Sequence, residues 1–143
     1  MRILLMNGPN LNMLGVREPG IYGHDTLGSI EDMVISHGER HGVDVECFQS
    51  NHEGVLIDKL HEAHGRFDGV IYNPGAHTHY SYALRDAVAA ISTPVVEVHI
   101  SDVDAREPFR AISVFDGVVL EKISGRGKQG YIDALDVLRE HCC

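Results

Sequence analysis

No stretch of this sequence stays apolar for anything near the ~20 residues that cross a bilayer. The opening MRILLMNGPN is too short an apolar run for a secretory signal and lacks a small-residue cleavage site, so it reads as a first strand. Positive charge is scarce: 12 Lys and Arg stand against 21 Asp and Glu, a formal net charge of −9. Nucleic acid is excluded as a partner, because phosphate binding needs a basic face. An anionic ligand must then be held by local arginines, since the overall field repels it. Cysteine is sparse. Cys47, Cys142 and Cys143 are odd in number, lack metal-ligand spacing and include an adjacent pair, which predicts a reduced, cytoplasmic setting. Repeats, low-complexity tracts and linkers are missing too. The 143 residues, 43% hydrophobic and 23% charged, fit one domain around a substantial core.

What is present is an alternation. Strand-like runs occur at RILLMN (2–7), VDVECFQ (43–49), GVIYN (69–73), VVEVHI (95–100) and GVVLEKI (117–123). Helical stripes lie between and after them: Leu27, Ile30, Met33 and Val34; Leu56, Leu60 and Ala63; Leu84, Ala87, Val88 and Ile91; and Tyr131, Ala134, Leu135 and Leu138. Asp25 and Thr26 are candidate N-caps for the first helix. Histidine is abundant, with ten residues, but His37, His41, His61 and His64 fall in helical stretches and read as surface groups. Alternating strands and helices predict a parallel sheet covered on both faces. The expected fold is α/β and flavodoxin-like: a doubly wound five-stranded sheet of order 2-1-3-4-5. In that architecture ligands bind beyond the carboxyl ends of the strands.

The polar residues cluster where that rule puts a site. NGPNLNMLGVREPGIYGHD follows strand one, SNHEG strand two, NPGAHTHYS strand three and SDVDAREPFR strand four. Strand four itself ends in EVHIS, whose period-two alternation sends Glu97, His99 and Ser101 to one face and Val98 and Ile100 to the other. The loop over about 8–25 is long and carries Pro9, Gly15, Pro19, Gly20 and Gly23, so it reads as a lid. It holds Arg17 and Tyr22. An adjacent guanidinium favours the phenolate, so the pair on a closed lid would be a general base. The alternative is a packed tyrosine and a solvated arginine.

Four further constellations compete. HTH at 77–79, with Glu97 and His99, offers zinc-ligating types, but no other His or Cys has the matching spacing. The NPG turn before it, with Thr78 and Ser81, looks like a hydroxyl- or anion-binding corner. GRGKQG at 125–130 fits G-x-G-x-x-G, yet only 13 residues remain after Gly130, too few for the acidic residue a dinucleotide site needs, so the motif is a turn into the last helix. A short helix starting near Glu107 would bring Arg106 and Arg110 to one side, where they could hold a carboxylate.

Taken together, NGPNLNMLGVREPGIYG, SNHEG, NPGAHTHYSYALRDA, EVHIS, AREPFR and GRGKQGY resemble type II 3-dehydroquinate dehydratase nearly from end to end. The resemblance implies one catalytic domain over 1–143, no metal and no organic cofactor. It also implies self-association as trimers forming a homododecamer, and a role in the shikimate pathway or in quinate breakdown. The implied reaction is dehydration of 3-dehydroquinate to 3-dehydroshikimate by trans elimination through an enolate. By resemblance Tyr22 is the base, with Arg17 holding it as phenolate, and Asn10 helps hold the enolate oxygen. His99 is the acid, oriented by Glu97. Asn73, His79, Asp86 and Arg110 match positions that bind the substrate's ring and hydroxyls; Ile100 and Ser101 match its carboxylate site.

The chain departs from the family pattern at Asp102 (usually Asn), Asp104 (usually His), Ala111, Ile112 and Val114 (usually basic and aromatic), His77 (usually apolar or aromatic) and Arg126 (usually Leu). Asp102, Asp104, Ala111 and Ile112 raise the alternative of a homologue that binds a small acid without turning it over. A metal-dependent hydrolase built on His77, His79 and His99 is the third reading.

Overall fold

The computed structural model describes residues 1–16 and 25–143. Five parallel strands, β1 (Arg2–Asn7), β2 (Asp44–Gln49), β3 (Gly69–Asn73), β4 (Val95–His99) and β5 (Glu121–Ser124), form one sheet of order β2-β1-β3-β4-β5. That is the expected doubly wound order. Among the described residues four α-helices accompany it: α1 (Leu27–Glu39), α2 (Glu53–Ala63), α3 (Tyr82–Ala90) and α4 (Gln129–Cys142). Among the described residues, no helix is long and apolar enough to cross a membrane.

Alternation along the strands divides the core in two. Ile3, Leu5, Ile71, Val96 and Val98 face one way and bury Ile30 and Val34 of α1 with Tyr131, Leu135 and Leu138 of α4. Leu4, Met6, Val70, Tyr72 and Val95 face the other way, onto Leu56 and Leu60 of α2 and Leu84 and Val88 of α3. Strands buried on both faces read as unbroken apolar runs, which is why RILLMN carries five buried residues in six. Glu97 and His99 share the parity of Val95, so they emerge on the α2–α3 side.

Thr26, one of the two cap candidates, closes the N-terminus of α1 by accepting from the Ser29 N–H at 3.1 Å. The last strand is shorter than expected. Residues 117–120 form a turn with Gly117 at φ 89°, and only Glu121–Ser124 pair with β4. Val118 and Val119 are apolar because they pack, half-buried, against the α2–α3 cluster.

At the carboxyl edge the chain after β1 crosses close to the chain after β3. The Gly8 N–H donates to the Asn73 carbonyl at 2.8 Å, and a Cβ on Gly8 would sit 2.7 Å from the Pro74 carbonyl oxygen. Backbone cannot yield there as a flexible side chain would. Gly8→Ala is therefore expected to cost about 1–3 kcal/mol of stability, read as a lower urea midpoint; an unchanged midpoint would contradict this crossing.

Candidate active site

The carboxyl edge encloses a cavity of about 140 Å³. Of the residues expected at the site, Asn10, Asn73, His79, His99, Ile100, Ser101 and Arg110 line it, joined by Arg106. Glu97 lies behind His99, 1% exposed. Asp86 is not brought in: it stands on the exposed side of α3, outside the cavity lining of its own chain. Tyr22 and Arg17, with residues 17–24 of the expected lid, lie outside the described residues. The cationic contribution anticipated from Arg106 and Arg110 is present. Arg110 lies within a 3-10 turn, Pro108–Ala111, whose N-cap residue is Glu107; the Arg110 Nε donates to the Glu107 carboxylate at 2.5 Å. That contact fixes the guanidinium plane beside the cavity.

Asn10 takes the left-handed conformation at φ 70°, which asparagine tolerates better than most residues. Its N–H donates to Asn51 Oδ1 at 2.9 Å, and Gln49 Nε2 donates to the same oxygen at 3.2 Å and to the Gly8 carbonyl at 3.1 Å. The loops after β1 and β2 are thus tied together. Asn73 is fixed from below. Its Nδ2 donates to the Tyr131 hydroxyl at 2.9 Å, its Oδ1 accepts from the Gly75 N–H at 3.1 Å, and Tyr131 donates to Asn7 Oδ1 at 2.6 Å. Burial pushes the Tyr131 phenol above its ordinary pKa, with the Asn73 hydrogen bond opposing, so the hydroxyl stays neutral and able to donate.

On β4, His99 Nε2 lies 2.5 Å from Glu97 Oε2. The same oxygen accepts from the Thr78 hydroxyl, and the Ser113 hydroxyl lies 3.3 Å from both carboxylate oxygens. Burial alone would raise the Glu97 pKa. The hydrogen bond and charge of His99, the Thr78 hydroxyl and the charge of Lys122 outweigh it and hold the carboxyl below its usual range. An ionised Glu97 needs a proton on Nε2, which leaves Nδ1 as the other working nitrogen of His99. Protonated, the ring is a hydrogen-bond donor at the cavity with its charge balanced from behind.

His79 is arranged differently. Its Nδ1 donates to the Ile112 carbonyl at 2.6 Å, leaving Nε2 as the acceptor. Burial lowers its pKa, opposed by the Ile112 carbonyl and aided by His99 and Arg110, so the ring favours the neutral form.

The corner expected at Thr78 and Ser81 is not a ligand corner. Both are buried and already engaged: Thr78 with Glu97, and Ser81 as N-cap of α3, accepting from the Leu84 N–H while donating to Glu53 at 2.6 Å. GRGKQG is a turn, as its spacing implied, but it also shapes the site. Gly127 N–H donates to the Ile100 carbonyl at 3.0 Å, and Gly125 N–H to the Ser101 carbonyl at 3.1 Å. Gly125 and Gly127 adopt φ 78° and 57°, so the turn suits glycine. With the Ile100 carbonyl turned toward Gly127, the trans peptide points the Ser101 N–H the opposite way. Asp102 is exposed and outside the cavity lining.

Comparison with known proteins agrees with this fold. The chain matches the family described as Dehydroquinase class II over residues 1–139. It is 57% identical over 130 residues to the 3-dehydroquinate dehydratase of Anoxybacillus flavithermus, covering 91% of this chain and 88% of that one. Against the enzyme of the same name from Bacillus mycoides, identity is 55% over 139 residues, with 97% and 95% covered. The type II dehydroquinase structure from Butyrivibrio crossotus superposes with a TM-score of 0.95 at 50% identity, covering 97% of each chain. A 3-dehydroquinate dehydratase-like protein from Bifidobacterium longum gives 0.74 at 30% identity, covering 98% of this chain and 96% of its own.

Beside the cavity, His77 is buried and its Nδ1 has no hydrogen-bond partner among the described residues. Burial holds its pKa below the ordinary 6.5, with Glu53 opposing. The unfolded chain therefore binds more protons than the folded one just below 6.5. This contribution to stability is complete above that value and is lost as pH falls toward the folded pKa. In urea titrations between about pH 7.5 and 5, His77→Leu is expected to flatten the fall in stability below 6.5, with His79 sustaining part of the slope. An unchanged slope would contradict a neutral, buried His77.

Proposed function

The chain belongs to the Dehydroquinase class II family and is a lyase that dehydrates 3-dehydroquinate, and we propose the route by which it does so. The substrate is a β-hydroxy ketone carrying a carboxylate. Tyr22, kept as phenolate by Arg17, takes the proton from the carbon next to the ketone, and the electron pair moves onto the ketone oxygen as an enolate. Asn10, held by Asn51 at the cavity wall, helps to stabilise that oxygen. The enolate then collapses, the carbon–oxygen bond to the β-hydroxyl breaks, and protonated His99 gives the departing oxygen its proton, so water leaves. Glu97 keeps the imidazolium oriented and its charge balanced. The base becomes a neutral phenol and the acid a neutral imidazole. Returning that proton from one to the other resets the site.

Substrate recognition follows the same map. Asn73, His79 and Arg110 take ring and hydroxyl groups, while the Ser101 hydroxyl and the backbone at Ile100 and Ser101 take the carboxylate. Asp86, outside the cavity of its own chain, contributes from a neighbouring copy. This fits assembly as trimers within a homododecamer, with the catalytic domain spanning residues 1–143 and its lid over about 8–25. The free thiols of Cys142 and Cys143, both exposed, support a reducing, cytoplasmic setting.

The observation that carries the reading is the buried Glu97–His99 pair opening onto a cavity that also holds Asn10, Asn73 and Arg110. The test is a continuous ultraviolet assay with 3-dehydroquinate, a chelator present, following the conjugated enone of the product. Absorbance is expected to rise, with kcat falling by about 10²–10⁴ in His99→Ala and collapsing in Tyr22→Phe. No rise from folded protein would move the weight to a non-catalytic homologue that binds a small acid. Turnover near wild type in Tyr22→Phe would remove the assigned base.

A further inference from the structure

In the route proposed above Glu97 orients His99, but a carboxylate has to be oriented itself. The last torsion of a glutamate is broad and roughly two-fold, so nothing intrinsic stops the carboxylate from turning away from the imidazole. The structure supplies the restraint from two elements distant in sequence. Phe115 N–H donates to Ser113 Oγ at 3.2 Å, Ser113 Oγ lies 2.9 Å from Thr78 Oγ1, and Thr78 donates to Glu97 Oε2. Each hydroxyl has one proton, and that of Thr78 is spent on the carboxylate, so Ser113 is the donor between the two at 2.9 Å, a shorter contact than its 3.3 Å approaches to the Glu97 oxygens. A backbone N–H can only donate, which fixes the polarity at the far end. The chain runs Phe115 to Ser113 to Thr78 to Glu97 and meets the His99 Nε2 proton at the same oxygen. Successive donors polarise one another, so the end nearest the carboxylate is strengthened.

We propose that Thr78 and Ser113 are positioning residues for the general acid, their linked hydroxyls holding Glu97 in the one orientation that accepts the Nε2 proton of His99. This deepens, and rests on, the acid role given above to His99 and Glu97. The strip that delivers Ser113 also builds the ligand side of the cavity. Val114 N–H donates to the Thr78 carbonyl at 2.7 Å and the Ile112 carbonyl accepts from His79 Nδ1 at 2.6 Å, a few residues after Arg110. The acid and the residues that would grip the substrate's hydroxyls are therefore seated by one segment. The other ionisable groups coupled to the pair include Lys122 from β5, which favours the carboxylate, Tyr72 from β3, held neutral by burial with Glu97 and Glu53 adding to the effect, and His79 from the turn after β3, whose charged form His99 disfavours and Glu97 favours.

Thr78→Val replaces the hydroxyl with a methyl group at nearly constant shape, Thr78→Ser keeps it, and Ser113→Ala removes the half-buried outer link. With 3-dehydroquinate, kcat is expected to fall about tenfold in Thr78→Val and about threefold in Ser113→Ala, with KM within about twofold of wild type. Thr78→Ser should recover most of the loss. In nitrogen-15 spectra of histidine-labelled protein, with the His99 signal assigned by its disappearance in His99→Ala, the neutral ring should be a single Nε2–H tautomer. Thr78→Val should give a mixture. Equal losses in Thr78→Val and Thr78→Ser, an effect on KM alone, or an unchanged tautomer would overturn the proposal, and Ser113→Ala decides it should Thr78→Val fail to fold. Glu97→Gln separates the two levels. If it keeps wild-type kcat, the acid role itself falls; if it loses kcat while the hydroxyl variants do not, only the positioning role falls.

Discussion

A carboxylate buried at the end of a central strand sets the terms for the rest of the molecule. Removing an ionised group from water costs several kcal/mol even after the protein relaxes, unless donors replace the lost hydration. Glu97 is almost fully buried, and burial pulls its pKa upward, yet the balance goes the other way because His99, Thr78 and Lys122 all favour the charged form. Those groups come from β4 itself, from the 3-10 turn after β3 and from β5, with Ser113 added from the segment that follows Arg110. The site can therefore exist only where these elements meet. A single ionised side chain draws together two strands and two connections, and the cavity in front of His99 is the space they leave.

The sheet makes that meeting possible. Parallel strands bring Asn7, Asn73 and His99 to the same edge, and the in-register pairing of Asn7 with Asn73 lets one buried phenol, Tyr131, bond both amides from α4. Period-two alternation then decides which side chains lie over the edge. Val95 belongs to the α2–α3 core, and two and four residues later the same face carries Glu97 and His99. The strand begins as packing and ends as chemistry without changing its geometry. On the opposite face Val98 and Ile100 stay in the α1–α4 core, which anchors the reacting end of the strand.

The strand order, the helix stripes and the clustering of polar loops at one edge were legible in the sequence because each depends on local periodicity. Glu97 and His99 were legible for the same reason: they interrupt an apolar face two residues apart. The hydroxyls that hold Glu97 were not. Thr78 and Ser113 are 19 and 16 residues away from it, and neither has a pattern of its own that distinguishes it from a cap or a loop residue. Thr78 read as part of a ligand corner because it sits in NPGAHTHYS beside residues that do line the cavity. Residues 117–120 read as strand because a turn whose valines pack half-buried against the core is as apolar as an edge strand. GRGKQG reads as a turn into the last helix, and residues 125–128 form that turn. Its use as a clamp on the Ile100 and Ser101 carbonyls depends on a contact across more than twenty residues that only the fold creates.

The central claim is that the Glu97–His99 pair acts as the acid while a separate group acts as the base. It is tested most directly by following 3-dehydroquinate in heavy water by proton NMR with His99→Ala. Two rates are read: exchange of the proton next to the ketone, and appearance of product. If the roles are divided as argued, the variant still exchanges that proton for deuterium, because the base and the enolate site are intact, while dehydration is lost. Exchange and dehydration falling together, to the same degree, would mean that His99 is needed to form the enolate, and the division of labour would be wrong.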